Sequence, residues 1–221
     1  MKFKAIIFDM DGTIIETDHI WQQAVKDMIT HRGIDLTHDV EQEIHAKTRG
    51  LHLEKSCALL IDLFDLKEDL KTLMKEKSHR ANTLYPSHAR MIEGFTNFHK
   101  KALDYSLQTG LATNADDDTL HVSKQTFDLE KYFGQHLYNL SHVNFRGKPE
   151  PDLFLYAADK LKMNPKECVV IEDSAHGVQA ARDAGMFCIG INTSQNKALL
   201  KDSHEIIEHY DEIDLNKLLK K

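Results

Sequence analysis

The chain has 221 residues, 41% hydrophobic and 29% charged, enough to bury the core of one domain with room for an insertion. Its formal charge of −7 argues against a nucleic-acid or anionic-membrane partner, since either needs a basic face, and an anionic ligand would require local cations or a metal. Three scattered cysteines without a C-x-x-C, an N-terminal apolar run too short for a signal peptide and no membrane-length apolar stretch point to a reducing, cytoplasmic setting, and nothing demands more than a monomer.

Residues 3–8, FKAIIF, suit a strand covered on both faces, and the run ends in Asp9, Met10, Asp11, Gly12 and Thr13. From Thr17 to about Tyr85 no convincing strand follows. Ile20, Ala24 and Met28 fall at helical spacing behind Thr17-Asp18, a plausible cap, and Gly33 ends that helix. Cys57, Leu60, Ile61 and Phe64 make a second apolar stripe; Leu70, Leu73, Met74 and Ala81 make a third. These stripes predict a helical module over 17–85 inserted after the first strand, with TIIETD and LYPSHAR as its connections and residues 1–16 and 86–221 as the core domain.

Further along, SLQTGLAT reads as a strand reaching Thr113 and Asn114, and PDLFLYAADKLKM as a helix with Pro151 in its first turn. CVVIED is a strand ending in Glu172 and Asp173, AHGVQAARDAGM a helix, and MFCIGI a further strand. Alternating strands and helices predict an α/β fold with a doubly wound, Rossmann-like parallel sheet.

In such sheets ligands collect at the carboxyl ends of the strands. Asp9, Asp11, Thr113, Glu172 and Asp173 would stand there, joined by Lys148 from the loop GKPEPD. Two carboxylates one residue apart repel each other unless positive charge lies between them. Asp9 and Asp11, with Asp173 opposite, form an all-oxygen set of the kind a hard cation such as Mg2+ accepts. Thr113 and Lys148 are then left as a hydrogen-bond donor and a cation matched to phosphoryl oxygens.

DMDGT, the hydroxyl residue after a second apolar strand, GKPEPD and VIEDS, in that order, resemble the four motifs of the haloacid dehalogenase superfamily. The insertion resembles that superfamily's helical type-1 cap, as in the β-phosphoglucomutase and sugar-phosphate phosphatase branch. The resemblance implies that Asp9 is a nucleophile forming an aspartyl-phosphate. It implies that Asp11 protonates the leaving group and later deprotonates water. Mg2+ would be held by Asp9, the backbone carbonyl of Asp11, Asp173 and Glu172. Thr113, Asn114, Lys148 and backbone N–H groups around Gly12 would bind the phosphoryl group.

The cap departs from the mutase pattern. Trp21 stands where the mutases carry a histidine, and Leu53 where they carry an arginine, although Arg49 and Lys55 are near. Asp116, Asp117 and Asp118 follow Asn114 where a second phosphate would need cations; they also suit a helix N-terminus. The expectation is therefore a phosphatase for a small phosphorylated metabolite, a sugar phosphate, with a β-phosphoglucomutase-type mutase as the alternative. Trp21 and Arg49 are the candidates for the cap's substrate pocket. A dehalogenase proper does not need Asp11, and a phosphonatase needs a Schiff-base lysine, for which neither Lys26 nor Lys47 is singled out. A signalling receiver domain gathers similar residues but is shorter and lacks the insertion. Glu41 and His45, with His38 nearby, read as a solvated helix face, and His176 as a helix-surface residue. Cap opening would hinge near 15–17 and 85–88.

Overall fold

The computed structural model describes residues 3–48 and 51–220. The run AIIF becomes strand β1 (Ala5–Phe8), and all four of its residues are buried. Alternate residues leave a strand on opposite faces. Ile6 and Phe8 accordingly pack with Phe95, Phe98 and Tyr210, whereas Ala5 and Ile7 pack with Leu153, Phe154 and Val178. With both faces covered, the run has no place for a polar side chain.

The chain continues through β2 (Ile15–Glu16), α1 (Asp18–Thr30), α2 (His38–Thr48), α3 (Leu53–Phe64), α4 (Leu70–His88) and β3 (Arg90–Met91). Val25, Met28, Ile29, Ile44, Cys57, Leu60 and Leu73 form a hydrophobic cluster of their own among these helices. Ile20, Ala24, Ala81 and Tyr85 join the core beneath the sheet instead. Helices α1 and α4 therefore carry the insertion on the sheet. Strands β2 and β3 pair antiparallel, Ile15 opposite Met91 and Glu16 opposite Arg90, so the two connecting segments lie side by side.

The expected connection at LYPSHAR is different. Helix α4 runs through Pro86 to His88. A proline removes one helical donor and crowds the preceding turn. This one stands in the last turn, where the N–H of Ala89 still closes on the carbonyl of Tyr85 at 3.0 Å.

The remaining elements are α5 (Phe95–Asp104), β4 (Gln108–Ala112), α6 (Asp117–Phe127), α7 (Leu129–Phe133), β5 (Leu137–Tyr138), α8 (Asp152–Lys160), β6 (Cys168–Glu172), α9 (Ala175–Asp183), β7 (Phe187–Ile191), β8 (Glu205–Ile207) and α10 (Leu215–Leu218). The sheet order is β5-β4-β1-β6-β7-β8, parallel throughout. This is the doubly wound α/β sheet expected from the alternation. Its register sets Phe8 beside both Leu111 and Ile171, so Asp9, Thr113, Glu172 and Asp173 leave the sheet together. Cys57, Cys168 and Cys188 are buried and free. Among the described residues no helix is long and apolar enough to cross a membrane.

Candidate active site

The N–H of Asp9 donates to the carbonyl of Ile171 at 3.0 Å, which fixes the Asp9 side chain at the crevice between β1 and β6. The Lys148 ammonium donates to Asp9 Oδ1 and, at 2.8 Å, to Glu172 Oε1. All three side chains are at least nine-tenths buried. Lys148 is aimed by Asn114, whose Oδ1 accepts from the Lys148 N–H at 2.9 Å while its Nδ2 donates to the Lys148 carbonyl at 3.1 Å. A Cβ on Gly147 would come within 2.4 Å of that same Oδ1, so a glycine is needed for the clamp to close. Both polar ends of the Asn114 side chain are thus engaged with the Lys148 backbone.

Glu172 is held from the other side. Its Oε2 accepts from the N–H and the hydroxyl of Ser174, at 2.6 and 2.9 Å. Ser174 also caps α9 by accepting from the N–H of Gly177 at 3.1 Å. A side chain on Gly177 would collide with the Glu172 carboxylate. Gly12 is constrained in a similar way. It has φ +83°, and a Cβ there would lie 2.3 Å from Asp173 Oδ2. The N–H of Gly12 is spent on the carbonyl of Ile15 at 2.7 Å, and its carbonyl accepts from Thr193 at 2.6 Å. Gly12 thereby makes room for Asp173. Thr113 is buried on the cleft wall and accepts from the Ala115 N–H at 3.1 Å, which leaves its hydroxyl proton to donate.

Asp11 faces elsewhere. Its Oδ1 accepts from the Thr17 hydroxyl at 2.8 Å and the Tyr85 phenol at 2.5 Å, and the Trp21 side chain adds a further polar contact. Thr17 stands at the N-cap of α1 but makes no side-chain capping bond there, because its hydroxyl is turned to Asp11. The acidic group that could hold a metal among the described residues is Asp9, Glu172 and Asp173, with candidate ligand atoms all within 4.8 Å of one another. The Asp11 side chain is outside it.

Burial sets the electrostatics. It pushes Asp9 up to about 7, against the Lys148 charge, which lowers it, and Glu172, which raises it again. Burial likewise raises Asp11, opposed by its bonds to Tyr85, Thr17 and Trp21. Burial alone would lower Lys148, but the charges of Asp9 and Glu172 outweigh it and hold the ammonium protonated. Three carboxylates against one lysine leave this pocket with excess negative charge. The donor set is all oxygen, and a divalent hard cation fits it on both counts.

A cleft of about 350 Å³ opens over these groups and is walled by α1, α2, α3 and α4. That volume suits a small metabolite. Trp21 lines it; Arg49 lies outside the described residues. Asp116 caps α6 through the Thr119 N–H at 2.7 Å and accepts from Ser78 at 2.9 Å, and Asp117 accepts from Asn139 at 2.7 Å. Of these acids Asp116 is the helix cap, and Asp117 stands in the first turn bonded to Asn139. Glu41 and His45 also line the cleft, so their helix face is not simply solvated. His45 Nε2 is buried without a hydrogen bond, 3.8 Å from Asp18. His176 is half-buried, and burial together with the Lys55 charge lowers its pKa.

Three participants escaped the sequence reading: Thr17 and Tyr85 on Asp11, and Lys77 in the cleft. For Lys77 a signal existed. Leu73, Lys77, Ala81 and Tyr85 recur every fourth residue on the buried face of α4, with a lysine where an apolar residue is due.

A parallel sheet with an acidic crevice at its carboxyl edge and helices over the mouth defines a class. A profile of the haloacid dehalogenase-like hydrolases matches residues 6–191, and the chain belongs to that family. It is similar to the phosphorylated carbohydrates phosphatase of Thermotoga maritima, 27% identical over 201 residues and covering 90% of each chain. It is also similar to the β-phosphoglucomutase of Bacillus subtilis, 26% identical over 87% of this chain and 84% of that one. Among solved structures, the family IA, variant 3 hydrolase from Entamoeba histolytica superposes with a TM-score of 0.85 at 25% identity, covering 99% of this chain and 100% of that one.

Proposed function

We propose that this hydrolase is a Mg2+-dependent phosphatase that cleaves a small phosphorylated metabolite, a sugar phosphate, through an aspartyl-phosphate on Asp9. The cytoplasm is the proposed setting, in keeping with three free, buried cysteines. The observation that carries the reading is the different surroundings of two neighbouring carboxylates. Asp9 is paired with a lysine that favours its ionised, nucleophilic form. Asp11 has no cation among its hydrogen-bond partners, and its burial, which outweighs the opposing bonds from Tyr85, Thr17 and Trp21, favours holding a proton.

In the first step an Asp9 oxygen attacks phosphorus, the bond to the leaving oxygen breaks, and Asp11 gives that oxygen its proton. In the second step Asp11 takes a proton from water, the water oxygen bonds to phosphorus, and the bond to Asp9 breaks. Inorganic phosphate leaves and both carboxylates return to their starting state. Lys148 and the Thr113 hydroxyl offset negative charge on the phosphoryl oxygens throughout. Mg2+ bound by Asp9 and Asp173 would add Lewis-acid stabilisation of that same charge. Glu172, bonded at both oxygens, would chiefly hold Lys148 and the start of α9 in place.

Against the mutase alternative, Trp21 supplies no base at the position expected of one, and Asp116 on the cleft wall would repel a second phosphate. The test is release of phosphate from para-nitrophenyl phosphate with Mg2+ by the wild type and by Asp9→Asn. Comparable rates for the two proteins would reject the covalent route.

A further inference from the structure

Lys77 projects from α4 into the same cleft and is only 5% exposed. Its ammonium donates to the Ser56 hydroxyl of α3 at 2.5 Å and sits 5.6 Å from the centroid of the Trp21 ring. Among the described residues it forms no ion pair. The nearby acids are engaged elsewhere: Glu41 with Lys26 at 2.8 Å, Asp116 with Thr119 and Ser78, and Asp18 beside His45. A buried ammonium with only a neutral partner is costly, and burial lowers its pKa to about 8. Such uncompensated charge inside a ligand cleft marks a group that acts on a ligand more often than one that supports the fold.

The position is defined by Trp21. One indole stands against Asp11 and also beneath the Lys77 ammonium, so a carbon chain lying along it would reach from the reacting phosphoryl group to Lys77. The ammonium has protons to spare for the oxygens of a single-charged group, while the Ser56 hydroxyl, which donates to the Leu53 carbonyl at 3.2 Å, holds it in place as an acceptor. A lone ammonium is not the planar fork or cation cluster that a second phosphate calls for.

We infer that Lys77, held in place by Ser56, forms a subsite for a carboxylate at the end of the substrate remote from the phosphate. The preferred substrates are then phosphorylated sugar acids rather than neutral sugar phosphates. This rests on the phosphatase reading of the cleft and adds a substrate class to it.

Two matched pairs test it, differing only in a terminal carboxylate against a hydroxymethyl group: gluconate 6-phosphate with sorbitol 6-phosphate, and 3-phosphoglycerate with glycerol 3-phosphate. The acid of at least one pair should show a kcat/KM higher by roughly ten- to a hundredfold, the range of one charge-assisted hydrogen bond. Lys77→Met should bring that ratio to within about twofold of one, since the charged bond supplies the whole difference. Calorimetry of the same compounds on Asp9→Asn protein reads the subsite without turnover and should give the same order. Equal or better use and binding of the neutral members in both pairs would overturn the inference, as would an acid preference that survives in Lys77→Met. Failure of every phosphomonoester to turn over, with acid-selective binding intact, would strike the phosphatase reading and leave the subsite standing.

Discussion

Asp9 and Asp11 are two positions apart in the chain, yet among the described residues their carboxylates share no hydrogen-bond partner: Asp9 takes the Lys148 ammonium, and Asp11 takes the hydroxyls of Thr17 and Tyr85. The division is built from two different parts of the molecule. The Asp9 partner comes from a loop of the sheet domain, while the Asp11 partners come from the N-terminus of α1 and the last turns of α4. Asp11 therefore acquires its environment only when those two helices stand over the sheet.

Tyr85→Phe removes the 2.5 Å bond to Asp11 while keeping the ring. Tyr85 is fully buried and packs edge-on against Trp21, 6.4 Å between centroids, so the phenyl ring should preserve the wall. Misorientation of a proton donor by loss of one positioning bond should lower kcat/KM by about ten- to a hundredfold. The loss should be much smaller for substrates with good leaving groups, such as para-nitrophenyl phosphate, which hardly need the proton. A uniform loss across leaving groups would contradict this role for Tyr85.

Asn114→Ala frees both backbone contacts that hold the Lys148 loop. Lys148 would keep its charge but lose its aim. Steady-state kinetics should show kcat reduced by about tenfold or more with the protein still folded. An unchanged kcat would mean that the cleft holds Lys148 without help.

Much of this arrangement is legible in the amino-acid sequence, for identifiable reasons. The AIIF and CVVIE runs are fully buried strands whose ends are marked by acids, so the crevice could be located before any coordinates. The stripe residues Met28, Cys57, Leu60 and Leu73 do pack together. Other features leave no periodic trace. The β2–β3 ribbon is two residues long on each side, too short for a pattern. Thr17 occupies a capping position, and only tertiary contact decides that its hydroxyl serves Asp11. Pro86 signals a break that packing of the surrounding helix overrides. The bonds of Asn114 to the Lys148 backbone join positions 34 residues apart, which no local pattern in the sequence records.

His99 gives a pH test of the core independent of catalysis. It is buried beside Phe8, Phe95 and Phe133, its Nε2 lies 3.0 Å from the Thr109 hydroxyl, and burial lowers its pKa to about 4. An unfolded histidine protonates near 6.5, so between these values the unfolded chain binds the extra proton. The stability from His99 is complete above the unfolded value and is lost as pH falls toward the folded one. By pH 5 the loss should be about 2 kcal/mol. Urea midpoints of wild type and His99→Gln at neutral pH and pH 5 isolate it. The variant should be less sensitive to acid; equal sensitivity would show that other groups govern the acid limb.

Replacing Lys148 by methionine tests the charge balance of the site. The wild-type crevice sets Asp9, Glu172 and Asp173 against one ammonium, and removing it leaves buried carboxylates without a cation. Without metal, Lys148→Met should be less stable than wild type by about 3–5 kcal/mol, the usual result of stripping one partner from a buried ion pair. A ligand that binds only the folded state stabilises by mass action. Mg2+ should therefore raise the melting temperature of the wild type, raise that of Lys148→Met further, and have no effect once EDTA is in excess. Asp173→Asn should abolish the shift in either background, because it removes charge from the metal-binding set without touching the lysine. If Mg2+ shifts Asp173→Asn as strongly as wild type, the cation binds elsewhere and the assignment of Asp9 and Asp173 as its ligands fails.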